Sequence, residues 1–125
     1  MVKSIISMIC VAILLLVGAI WECNFVKEEF NEFHDAIEVV YDKVDDQTAT
    51  IDDIYVVQNI WLKKKQTLHM LLPHTEIKEV DLWIAETATL VRDKEWNDAI
   101  SKMEVLKELT EQIPKSFAIS LSNIF

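Results

Sequence analysis

The sequence predicts an all-α protein: an N-terminal transmembrane (signal-anchor) helix continuing into an antiparallel bundle of about four helices. Three observations predict it. The 125 residues include one Gly and two Pro, too few turn formers for a sheet with many hairpins. Ile5 to Trp21 is an apolar run without a charge. Beyond it, apolar residues recur at alternating spacings of four and three, the period of helices that bury one stripe against each other.

The apolar run comes first. At about 1.5 Å per residue it reaches about 25 Å, enough for a bilayer core of roughly 30 Å with snorkelling ends. Lys3 and the α-amine stand on one side, and Glu22, Glu28, Glu29 and Glu32 on the other. The positive-inside rule then puts the N-terminus in the cytoplasm and residues 22–125 outside a cell membrane crossed once. Residues 1–21 are the anchor on this reading and residues 22–125 the extracytoplasmic bundle. The alternative is a signal peptide, cut at the small residues Val17-Gly18-Ala19, that releases a secreted protein. The length of the run and the unbroken helical pattern after it favour the anchor.

Charge narrows the partners. Of the 12 basic side chains only Lys3 precedes residue 22, so the exterior part carries eleven against 21 carboxylates, a formal charge of −10. Such a surface repels phosphate backbones, which argues against nucleic acid. With Gly18 as the single glycine, a glycine-rich phosphate loop has no place.

Four helices follow from the seams. Val26, Phe30, Phe33, Ile37, Val40 and Val44 mark the first, running unbroken from the membrane to about Asp46. "DDQTAT" breaks the pattern, and Thr50 before "IDD" caps the second, whose stripe is Ile51, Ile54, Val57, Trp61, Leu68 and Leu71. Pro73 ends it, and the third starts around Thr75 with Glu76 and Glu79. Its seam is Ile77, Val80, Ile84, Thr87 and Val91, widened by Trp83 and Leu90. The fourth carries Trp96, Ala99, Met103, Leu106 and Ile113 before Pro114. The tail "KSFAISLSNIF" reads as a separate short helix capping the bundle, with Ile124-Phe125 buried. Short connections make neighbouring helices antiparallel.

The hairpin "LVRDKEWNDAISKMEVL" resembles the inter-helix part of a tetratricopeptide repeat, but Lys94 replaces the small turn residue and there is a single copy, so no solenoid is expected. Over nearly its whole length the chain resembles a different family. The apolar N-terminal helix, "PHTEIKEVDLWIAE", the W-x-x-A turn and "LKELTEQIPKSFAISLSNIF" carry that resemblance. It is to the uncharacterised membrane-associated proteins of spore-forming Firmicutes called domain of unknown function 4363. The resemblance implies no activity or site residues. It does imply the neighbourhood of another membrane family, hence a membrane complex with an integral membrane protein as partner.

The search for chemistry yields little. A di-metal carboxylate bundle needs Glu-x-x-His pairs, yet Asn31, Gln66 and Leu71 precede His34, His69 and His74 by three. His69 and His74, five apart across Pro73, are the weak metal candidates at a helix end, and a small metal- or ligand-binding bundle is the alternative function. Cys-x-x-Cys-His is absent, so haem and other cofactors are not expected. Ser116, Ser120 and Ser122 lack a glycine elbow. A wall- or membrane-associated hydrolase would need two carboxylates about 5–9.5 Å apart in a cleft. Lys63, Lys64 and Lys65 form the one basic cluster of the exterior part; they pair with the acidic first helix or meet an anionic wall polymer or acidic partner. Trp61, Trp83 and Trp96 fall at seam positions as core anchors. Cys10 lies in the apolar run, and Cys23 just outside it could join two chains in a homo-oligomer. The expected function is therefore a membrane-anchored, non-catalytic accessory or interaction protein of a bacterial cell-envelope complex.

Overall fold

The computed structural model describes residues 1–124, almost all helical. Helix α1 spans Val2–Asp45, α2 Ile51–Leu68, α3 His74–Arg92 and α4 Trp96–Ile124. Helix α1 packs on α2 and α4, and α3 packs on the same two, closing an antiparallel four-helix ring. No strand occurs among the described residues.

The seams become the core. Every seam residue read on α1, from Val26 to Val44, is buried, as are Ile77, Val80, Ile84, Thr87 and Val91 of α3. On α2 the buried set is Ile54, Val57, Trp61 and Leu68, with Ile51 half-buried at the helix start and Leu71 packed on the core edge. Trp61 is the largest fully buried side chain, lying against Phe33 at 5.1 Å and Phe30 at 6.0 Å between centroids. Trp83 and Trp96 are only partly buried against this core.

Local chemistry sets the helix ends. The Asp53 carboxylate accepts the backbone N–H of Thr50 at 2.9 Å and its hydroxyl at 3.3 Å, a capping box that starts α2. Its neighbour Lys43 pairs with the same carboxylate at 2.9 Å, tying the end of α1 to the start of α2. Pro73 is the N-cap of α3, which therefore begins at His74, one residue before the expected Thr75. Helices α1 and α3 both stop in Schellman turns, with Gln47 at φ 59° and Lys94 at φ 58° in the left-handed region. There Thr48 N–H reaches the Lys43 carbonyl at 2.8 Å and Glu95 N–H the Leu90 carbonyl at 2.9 Å.

The tail departs from expectation. Helix α4 runs through Pro114 to Ile124 rather than stopping before a separate cap. Proline removes one N–H and crowds the carbonyl four residues back, an interruption that packing on both sides can bridge. Phe117 packs on the core, but Ile124 is 73% exposed, not buried. Phe125 lies outside the described residues. Helix α1, by contrast, is continuous through Trp21–Val26, so the apolar stem and the bundle seam share one axis.

Candidate functional site

A groove lies between α1 and α4, near the apolar stem. Because the two helices are antiparallel, the C-terminal turns of α4 return toward the start of the bundle. Asn24, Lys27, Asn31 and His34 recur at helical spacing along one edge of α1, and Thr110, Glu111, Pro114 and Lys115 face them from α4. The groove holds about 460 Å³. His34 spans its upper end. Its Nδ1 is 2.7 Å from the Thr110 hydroxyl, whose oxygen also lies 2.6 Å from the Lys107 carbonyl. The Nε2 side of the ring meets Glu38 at 3.1 Å.

Below it a second groove, of about 340 Å³, continues along the stem. Cys23, Asn24 and Ala118 belong to both. Leu16, Ala19 and Ile20 form one wall and Leu121 with Ser122 the other, so the lining turns apolar toward the N-terminus. Glu111 is the only carboxylate lining either groove, while Glu95 and Asp98 share a concavity at the far end of the bundle.

The lysine cluster divides by face. Lys64 is largely buried and binds Glu29 at 3.0 Å and Glu32 at 2.6 Å, both on the acidic first helix. Two acceptors hold its ammonium charged despite burial, and Lys64 in turn lowers the pKa of Glu32. Lys65 turns to α3, where Asp81 holds it at 2.7 Å and accepts the Trp61 indole N–H at 2.7 Å. Lys63 is exposed and has no ion pair among the described residues.

The histidine candidates fall at one turn. The rings of His69 and His74 meet edge to face, 6.1 Å apart, both exposed, while His34 sits on the far side of α1's seam with Thr110. No group of three His, Cys, Asp or Glu side chains able to hold an ion occurs among the described residues. Cys10 is exposed on the stem and Cys23 half-buried in the groove.

Thr110, Asp81, Lys27 and Lys115 were not singled out from the sequence. Thr110 had a signal: it fills the gap between Leu106 and Ile113 at the same four–three spacing, and it is buried. The others had none, since a carboxylate or lysine on a charged helix does not reveal which neighbour it faces.

Fold and grooves define a class: a small antiparallel helical bundle carried on an exposed apolar helix. The chain belongs to the family described as Domain of unknown function (DUF4363), which matches residues 20–124. No curated protein and no solved structure matches it.

Proposed function

We propose that this protein is a membrane-anchored, non-catalytic interaction subunit of a bacterial cell-envelope complex, crossing the membrane once with its N-terminus in the cytoplasm. Residues 22–125 stand outside, and an integral membrane protein is the partner. The observation that carries this reading is the contrast along α1. From Val26 to Val44 its apolar seam is buried, whereas Ile5, Ile6, Leu14, Leu15 and Leu16 are each more than half exposed. An apolar helix bare on every side has no stable place in water, and a bilayer covers it. A signal sequence is apolar too. Against cleavage near Ala19, the Leu16–Ile20 turns form a wall for Ala118 and Leu121 of α4, which cutting would strip away.

A non-catalytic role fits the grooves, whose reactive groups are one carboxylate, one imidazole engaged by Thr110, two lysines and the Cys23 thiol, the last standing eleven residues, about 16 Å along α1, from His34. Lys63 and the exposed acidic face of α1 are the surface offered to a partner.

The test is fractionation with N-terminal sequencing, followed by photo-crosslinking from Lys63 in cells. Recovery in the membrane fraction with an intact N-terminus and capture of a membrane protein support the reading. A soluble secreted form beginning at Ile20 overturns the anchor, and capture of a second copy of the chain would make it a homo-oligomer instead of a subunit.

A further inference from the structure

The two ends of the bundle differ in chemistry. At the end far from the stem, the α1–α2 and α3–α4 turns expose Asp45, Asp46, Asp93, Glu95 and Asp98. At the near end, the α2–α3 turn exposes Met70 (84%) and packs Leu71 beside Leu121 and Ile124 of α4. The segment of α4 beyond Lys115, "SFAISLSNI" to residue 124, carries no charge. Ile119 (60%) and Ile124 are exposed on its outer side beside the uncharged Ser120 and Asn123, whereas the exposed apolar residues of the bundle proper, such as Val39 and Leu82, stand on helices rich in charge.

The groove lining sets which turns of α4 stand beside which turns of the stem. Ala118 lies level with Cys23 and Asn24, and Leu121 and Ser122 lie level with Leu16 to Ile20. Leu16 is five residues inside Trp21, about 7.5 Å along the helix axis at about 1.5 Å per residue. Trp21, stacked on Phe25 at 5.6 Å, is the kind of aromatic that sits at the headgroups. Whatever depth the stem has, the last turns of α4 share it. One turn or so further out, Lys27 on α1 and Lys115 on α4 line the same groove, and neither has an ion pair among the described residues. That is the height at which headgroup phosphates lie, since the polar layer adds several ångströms to each side of the hydrocarbon.

We propose that the segment of α4 beyond Lys115 enters the outer leaflet beside the anchor, its Ile119 and Ile124 on acyl chains and Lys27 and Lys115 on lipid phosphates. The occupant of this apolar face is lipid, because it is continuous with the apolar stem and bordered by paired lysines at its outer edge. Its N–H groups bond within the helix, which leaves only the carbonyls of the last turn to be met by water or headgroups at this shallow depth. The bundle then rests on the bilayer at two points instead of standing on one stem. The proposal rests on the anchored reading above.

Collision measurements on nitroxide labels test it. The full chain carries Cys10→Ser and Cys23→Ser, with single cysteines at Ile119→Cys or Ile124→Cys, in vesicles of phosphatidylethanolamine and phosphatidylglycerol. Leu14→Cys reports the stem and Asn97→Cys the far end. The substituted tail positions are exposed, so folding is retained and circular dichroism verifies it. Oxygen should relax the labels at 14, 119 and 124 more than a water-soluble nickel chelate does, with the reverse at 97. Labels at 119 and 124 that behave like 97 while 14 stays in lipid would overturn the inference and leave the anchor standing. A label at 14 accessible to the chelate would remove the anchor and the inference together. Tail labels immobilised and shielded from both reagents would mean that protein, not lipid, covers this face, and would equally overturn it.

Discussion

Asp81 on α3 uses both carboxylate oxygens across the bundle: Oδ1 accepts the Trp61 indole N–H at 2.7 Å and Oδ2 holds the Lys65 ammonium at 2.7 Å. Trp61 is the central side chain of the core, and its one polar atom must find an acceptor where water does not reach. The two bonds are unequal. Lys65 and Asp81 are each a third exposed, so their ion pair is worth roughly 0–1 kcal/mol. The indole bond matters more, because losing the acceptor strands a buried donor at about 1–3 kcal/mol. Asp81→Ala should therefore lower stability by about 2 kcal/mol, whereas Asp81→Asn, which keeps an oxygen for the indole, should lose less than about 1 kcal/mol. Urea unfolding of both variants checks this, and equal losses would show that charge, not the indole bond, is what Asp81 supplies.

Three carboxylates give the pH dependence, with opposite signs. Hydrogen bonding from Thr50 and then Lys43 lowers the pKa of Asp53, and Lys64 lowers that of Glu32. Their stabilisation is fully present above the ordinary carboxylate range and is lost as pH falls through their lowered pKa values. Glu76 is the reverse: burial, and secondarily the charge of Glu79, raises its pKa. Its ionised form opposes folding at neutral pH, and that opposition disappears as pH falls below 4.5, where the group is protonated in both states. Glu76→Gln should raise the melting temperature at pH 7 and leave it unchanged at pH 4. Lys64→Met should lower it at pH 7, and the loss should shrink as pH falls through the lowered pKa of Glu32. A Glu76→Gln gain of the same size at both pH values would show a cause other than ionisation.

Lys94 holds a left-handed conformation at the end of α3, where helices commonly place glycine. The conformation costs an L-residue roughly 1–2 kcal/mol, and the exposed lysine makes no ion pair there among the described residues. Lys94→Gly should raise stability by about 1 kcal/mol, less than the full strain because glycine also gains freedom in the unfolded chain. Lys94→Ala should give little change, since alanine keeps the Cβ. Thermal melts of the two variants separate relieved backbone strain from loss of charge.

How far the sequence spoke depends on the kind of residue. Alternating spacings of three and four reach the core directly, because a buried stripe leaves a period. Val26 to Val44 and Ile77 to Val91 are legible that way, and the capping residue Thr50 is legible from local chemistry alone. Pro114 misled for the same local reason: proline ends most helices, but here α4 is held by α1 on one side and α3 on the other. The groove was not legible. Lys27, His34, Thr110 and Lys115 come together only because α1 and α4 are antiparallel neighbours, a relation between helices about 80 residues apart that leaves no period in either. The partners of Lys64 and Lys65 were half legible, since acidic residues abound on α1 but nothing local singles out Asp81 on α3.

The continuity of α1 leads to the last prediction. Between Gly18 and Pro73 there is no glycine or proline, and the helix crosses Trp21–Val26 without a break. Asn24 is the one residue there of a type that favours helix caps, and it costs only a few tenths of a kcal/mol, too little to open a hinge. The bundle thus has a fixed rotation and height relative to the stem, and the end of α4 lines a groove with Leu16–Cys23. A partner that reads the bundle close to the membrane would depend on that register. Inserting a Gly/Ser spacer after Glu22 should leave the Val26–Val44 seam buried and the melting transition of the bundle within a few degrees of the parent. It should separate Leu121 from the stem side of the groove, and on the proposed function it should sharply reduce crosslinking of a membrane partner through Lys63. A straight helical insertion of seven residues, close to two full turns, keeps the rotation and changes the height by about 10 Å. Capture lost with both insertions means that height is what the partner reads, and capture lost with the flexible spacer alone means that rigidity is. Capture unchanged with the Gly/Ser spacer would show that the stem is only a tether.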